Sequence, residues 1–298
     1  MDTLENLRRK SDGAQDLKSV VRTMKALAAS NIGQYEQAVK SLDDYYRTVS
    51  LGIVAYFDEK KAITIADKVD PYRNTEKVVC AIVFGSDQGL VGQFNDSLAS
   101  FVAESLKDIK GIKMVWAVGE RVQLRLLDTG FDTPKLFAVP NSVNAITPLV
   151  GQILVNSGES QDSGYIQDFY IFHNQPRKGA GYAPVLQRLL PLDEQWRQSF
   201  EIQNWVTKTI PQVLGSDETT LLALIREYLF VSLFKACAES LNSENASRLD
   251  AMQRAEKNIE ELLDNLTRKF HRLRQSSIDE ELFDVVSGFE ALKDDARK

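Results

Sequence analysis

The sequence predicts an α/β protein in which long N- and C-terminal helices form an antiparallel coiled coil and a Rossmann-like α/β domain is inserted between them. Three observations predict it. Apolar residues recur every three or four positions over 14–57 and again from 217 onward. Proline is absent from both stretches, with none before Pro71 and none after Pro211. Between them, over about 74–211, short apolar runs alternate with shorter helical ones, the pattern of strands joined by crossover helices. The expected partition is therefore 1–58 with 212–298 as a discontinuous shaft, and 74–211 as an α/β foot.

The first helix reads from Leu17, Val20, Val21, Met24, Leu27, Ala28, Ile32, Tyr35, Val39 and Leu42 through Ile53 and Phe57, with charged residues on the other face. Its only interruptions are Gly13, Gly33 and Gly52, each costing roughly 1 kcal/mol relative to alanine. The last helix starts at Ser216-Asp217, which offers an N-cap. It then continues through Ile225, Leu233, Leu241, Met252, Ile259, Leu266, Leu273 and Leu282. Such a helix would be on the order of 100 Å long, more than one globular domain can bury. A pattern far beyond about 25 residues implies a coiled coil, a membrane span or a repeat. No window reaches the roughly 18 apolar residues of a span, and no repeat of solenoid length is present. The two helices are thus expected to pair with each other. Their stripes are mixed, so an irregular coil is expected rather than strict heptads.

The middle reads as a strand over 78–84, a helix over 95–107 with Asn95 as its cap, and a strand over 113–118. A helix over 120–127 ends at Gly130 and is followed by a short strand over 136–138. A helix over 143–155 and strands over 165–173 and 184–190 complete a mostly parallel sheet.

Composition narrows the function. The net charge of -6 is opposite to that of an ordinary nucleic-acid-binding domain. The two cysteines, Cys80 and Cys237, lie far apart in apolar contexts and read as reduced core thiols. The two histidines, His173 and His271, lack neighbours at ligand spacing, so no metal is expected. The opening MDTLENLRRK has no apolar core of a secretion leader. A cytosolic protein, or a peripheral one held to something else, is expected.

The densest glycine stretch is GSDQGLVGQFN, residues 85–95, between a strand and a helix. That placement is shared with phosphate-binding loops. Yet Gln93-Phe94 stands where a Walker loop needs Lys and Ser/Thr, and Gly85, Gly89 and Gly92 do not fit the dinucleotide spacing. The glycines read as a structural turn that permits positive φ and close packing. Asp43-Asp44 and Asp294-Asp295 read as solvated faces, as does the basic run around Arg268 to Arg274. The latter's functional alternative is contact with an acidic partner.

The chain resembles the gamma subunit of rotary F-type ATP synthases. The resemblance is carried by Leu7-Arg8-Arg9-Lys10 and Arg22-Thr23-Met24-Lys25-Ala26-Leu27-Ala28-Ala29 at the start. Ser86-Asp87-Gln88-Gly89-Leu90-Val91-Gly92 follows, and then Leu189-Leu190-Pro191-Leu192. It is densest in the last helix, in Ser243-Glu244-Asn245-Ala246-Ser247-Arg248-Leu249-Asp250-Ala251-Met252, Arg274-Gln275-Ser276-Ser277-Ile278 and Val286-Ser287-Gly288.

The resemblance implies a non-catalytic rotor shaft without cofactor or metal. ATP would be made and cleaved on partner alpha and beta subunits, whose hexamer surrounds the coiled coil. The foot would pack on the membrane c-subunit ring and on epsilon, peripheral to the cytoplasmic face of a prokaryotic plasma membrane. Met24, Lys25, Arg248, Arg274 and Gln275 would contact alpha and beta. Departures are visible: Gln88 stands for the family's Arg, Val91 for its Cys, and Ser30-Asn31-Ile32-Gly33 for a basic run. The acidic segment often found before the last helix is missing over 205–216. Set against the resemblance, these departures imply a divergent branch, with the alternate F-type complexes as one candidate. Two readings from other classes compete with the rotor: a free-standing coiled-coil adaptor with an α/β head, and a nucleotide-binding enzyme using residues 85–95.

Overall fold

A computed structural model describes residues 3–60, 77–162, 166–177, 181–192, 196 and 217–295. The elements run α1 (Leu4–Lys60), β1 (Val78–Phe84), α2 (Phe94–Lys107), β2 (Ile112–Val118), α3 (Glu120–Asp128) and β3 (Lys135–Phe137). After a short 3-10 turn (Val143–Ala145) come α4 (Ile146–Asp162), β4 (Asp168–Pro176), β5 (Tyr182–Leu190) and α5 (Asp217–Asp295). The predicted cap Ser216, the strand start Tyr165 and the segment 205–216 lie outside the described residues.

The strands form one five-stranded sheet in the order β3-β2-β1-β4-β5. The first four are parallel and β5 lies antiparallel on the edge. Central β1 is buried along its whole length, which is why Val78 to Phe84 is continuously apolar rather than alternating. Its side chains still divide by the period of two. Ala81 and Val83 join Val115, Ala117 and Phe172 under α2 and α3, through Leu98, Val102, Val122 and Leu126. Ile82 and Phe84 join Trp116 and Val118 on the other face, against Ile146 and Val150 of α4, Leu233, Cys237 and Leu241 of α5, and Val49 and Ile53 of α1.

The chain divides into two compact units, Met1–Leu27 with Leu249–Lys298, and Ala28–Arg248. The stretches of α1 and α5 beside the sheet are part of its core. In the sheet unit the helices run antiparallel: Asn31 reaches Asn245, Lys235 bonds Asp43 at 2.6 Å and Tyr45 donates to Glu227 at 2.8 Å. In the other unit Lys18 meets Glu260 and Arg22 meets Glu256, again antiparallel.

Burial on α1 corrects the expected mixed stripe. Leu7, Ala14 and Val21 are buried in one unit, as are Ala28, Tyr35, Val49 and Tyr56 in the other, with Leu42 half-buried. These positions step by sevens. A second row at Leu4, Ser11, Lys18, Lys25, Ile32, Val39 and Tyr46 is half-buried, and Ile53 completes it fully buried. Leu17, Val20 and Leu27 lie off this seam and are 59%, 55% and 60% exposed. A 3.5-residue seam is narrower than the apolar stripe that the sequence displays, so some apolar residues are left outside. Asn95 is a second correction. It sits inside α2, whose cap position is Gln93 with no side-chain cap bond, because the Asn95 amide is committed to the preceding turn.

Candidate functional site

In open α/β sheets ligands bind at the carboxyl ends of the strands where strand order reverses. Here that point lies between β1 and β4. It is filled by α5. Ser240 donates to the Phe84 carbonyl at the end of β1, 2.9 Å, and Ser243 donates to the Asn174 carbonyl on β4, 2.9 Å. Ser247 donates to the carbonyl of Val91 in the glycine turn, 2.5 Å. Glu239 meets His173 Nε2 at 2.8 Å and accepts from Gln175 at 3.1 Å. Strand ends present carbonyls that must be satisfied when buried. The run Glu239-Ser240-Leu241-Asn242-Ser243-Glu244-Asn245, buried throughout despite its polarity, satisfies them.

The glycine turn is closed on itself. The Asn95 side chain accepts from Ser86 N at 3.1 Å and donates to Ser86 Oγ at 2.8 Å. Asp87 accepts from Glu120 N at the start of α3, 3.0 Å, and from Val139 N, 2.9 Å. The Asp87 carboxylate thus sits at the N-terminus of α3, where a negative charge is favoured, and ties the glycine turn to that helix. Gly92 has φ 57° and Leu90 has φ 63°. A Cβ on Gly85 would fall 2.2 Å from Cβ of Val122, whereas one on Gly89 would meet nothing nearer than Arg121 at 4.0 Å. The two thiols, Cys80 and Cys237, are buried, and burial pushes both up from the ordinary range. Among the described residues no cluster of His, Cys, Asp or Glu could hold a metal, and no helix is long and apolar enough to cross a membrane.

The remaining expected site residues lie on α1 and α5. Met24 and Lys25 are half-buried on α1. Lys25 is bonded to Glu256, which Arg22 also reaches at 2.6 Å. Lys18 pairs with Glu260 at 2.9 Å. The bonds from Lys25 and then Arg22 hold the Glu256 carboxyl down to about 2. Arg248 is turned inward onto Glu244 at 2.6 Å, and burial raises the Glu244 carboxyl despite that arginine. Arg274 and Gln275 are exposed on α5. So are Leu282, Phe283, Val285 and Val286, at 62%, 75%, 70% and 50%. The helical period in the sequence includes Leu282 and gives Glu256 and Glu260 no role. The four-residue spacing of the two glutamates was the available signal.

A sequence model described as ATP synthase matches residues 3–292. The ATP synthase gamma chain of Nautilia profundicola is 25% identical over 98% of this chain and 100% of its own length. That of Caldanaerobacter subterraneus is 26% identical over 92% and 95%. Among solved structures, a chain from the rotor of the Euglena gracilis mitochondrial ATP synthase aligns with TM-score 0.62 and 15% identity, covering 92% of this chain and 98% of that one. A chain from the OSCP/F1/c-ring assembly of the same enzyme aligns with TM-score 0.64, also at 15% identity, over 97% and 94%.

Proposed function

This chain belongs to the ATP synthase gamma family, and from that premise we propose that it is the non-catalytic central rotor subunit of a rotary ATP synthase. The observation that carries the reading is end-to-end similarity: gamma chains match over nearly the whole of both sequences. The paired parts of α1 and α5 act as a coiled-coil shaft, 1–58 with 212–298, inside a hexamer of alpha and beta subunits. The α/β domain, 74–211, acts as a foot on the c-subunit ring and on epsilon, at the cytoplasmic face of the membrane. Ion flow turns the foot and shaft together. Each catalytic interface then responds to its different contact with the shaft, since a partner shifts an equilibrium only by its differential affinity for the two states.

The geometry supports this assignment of roles. The crevice that would take a nucleotide is filled by Ser240, Ser243 and Ser247, which supports a reading in which hydrolysis takes place on the partners. Met24, Arg274 and Gln275 are proposed as contacts with alpha and beta, a reading supported by the exposure of Arg274 and Gln275. Lys25 and Arg248 act from within, each tied to a glutamate of this chain.

The test is reconstitution with alpha and beta subunits from the same genome, measuring complex size and ATP hydrolysis together. The expected product is a single complex of three alpha, three beta and one copy of this chain, hydrolysing ATP faster than alpha and beta without it. No association and no stimulation would leave the coiled-coil adaptor as the better reading.

A further inference from the structure

We propose that Glu256 and Glu260 are internal counter-ions that keep Lys18, Arg22 and Lys25 from binding the subunits around this part of the chain. The inference rests on the rotor reading. It begins with an anomaly in the seam. Lys18 and Lys25 occupy half-buried seam positions on α1 where packing favours apolar side chains. Their stems lie along the seam while their ammonium groups need a partner at its rim. On α5, Glu260 meets Lys18 at 2.9 Å, and Glu256 receives both Lys25 and Arg22. Arg22 also lies 3.8 Å from Glu260. Three cations are thus folded back onto two carboxylates of their own chain. Beside them α1 presents Leu17, Val20 and Leu27, each more than half exposed.

Stapling the helices is the alternative role, and the variants below separate the two. Arg22 and Glu260 are 56% and 49% exposed, and exposed ion pairs add little to stability, whereas Lys18, Lys25 and Glu256 are 15%, 35% and 13% exposed and tie the helices more firmly. The helices of this unit already bury Leu7, Ala14, Val21, Met252 and Leu266. The effect on outward charge is of another kind, on rotation rather than on stability. A rotor whose cations are free forms ion pairs with acidic groups of the surrounding subunits at some angles and not at others. Each such pair has to break before rotation continues. Neutralising the cations internally leaves an apolar face whose contacts are non-directional.

The experiment compares Glu256→Gln with the triple variant Glu256→Gln/Arg22→Gln/Lys25→Gln in the reconstituted complex, at low and high ionic strength. Glu256→Gln is expected to assemble and to turn over about twofold to fivefold more slowly at low salt, the weight of one or two exposed ion pairs. The deficit should shrink as salt shortens the screening length to about 10 Å at 0.1 M. The triple variant should recover the wild-type rate. Unchanged turnover for Glu256→Gln, or a triple variant as slow as the single one, overturns the proposal. Should Glu256→Gln not assemble, Arg22→Gln/Lys25→Gln with Glu256 intact decides. Wild-type turnover supports the counter-ion role, and a loss identifies a staple and overturns it. Failure of the unmodified chain to associate with alpha and beta is a different result, which removes the rotor reading itself.

Discussion

Gly85 and Gly89 look alike in the sequence, four positions apart in one turn, and the fold treats them differently. Gly85 donates to the Val118 carbonyl at 2.9 Å and packs so closely that a Cβ would overlap Val122. Gly89 has open space and no left-handed φ. Gly85→Ala is expected to lower stability by about 1–3 kcal/mol, the ordinary cost of overpacking. Gly89→Ala should be neutral or stabilising by up to about 1 kcal/mol, through the unfolded chain. Urea unfolding of the two variants checks this, and equal losses would contradict the geometry. Sequence reading grouped both with Gly92 because the need for glycine at Gly85 comes from Val122, a residue of another element. Asn95 was misplaced for the same reason: its partner Ser86 lies outside the helix it was expected to cap.

Helix α5 shows what an element can reveal by itself and what it cannot. Its period was plain from Asp217 onward. The polar run from Glu239 to Ser247 gave no sign of being buried, since serine, asparagine and glutamate are mostly surface residues. Its spacing of three and four between Ser240, Ser243 and Ser247 puts the three hydroxyls on one side of the helix, and each meets a backbone carbonyl of the sheet unit. Ser243→Ala leaves the buried Asn174 carbonyl without that donor and is expected to cost about 1–3 kcal/mol. Ser276→Ala, at an exposed position of the same helix, should change stability by under about 0.5 kcal/mol. Thermal unfolding of the two variants separates the roles. A near-zero effect at Ser243 would mean that water replaces the hydroxyl.

For the whole molecule, the rotor reading requires that α5 transmit force without a break. Leu262 lies within α5, half exposed and off the seam, so a substitution there tests the backbone rather than packing. Leu262→Pro removes a helix hydrogen bond and clashes with the preceding turn, a cost of about 3 kcal/mol or more. It is expected to abolish coupling between ATP hydrolysis and ion pumping in the assembled complex while the α/β domain stays folded. Normal ATP-driven pumping by that variant would contradict the shaft assignment. The order of elements and the family were both legible before any coordinates, because the matching segments run in order along nearly the whole chain.

What the sequence determined alone was whatever depends on neighbours along the chain: the two long helices, the alternation of strands and helices between them, and the lack of a phosphate-loop lysine. These follow from periodicity and composition over short windows. What only the tertiary structure decided was which apolar row forms the seam, why the glycine turn is closed to a ligand, and where the cations of α1 are directed. The bonds responsible join residues 69, 156 and 234 positions apart. No local pattern encodes such a partner, because its distance is set by how the two long helices and the sheet pack, not by the spacing of residues along either one.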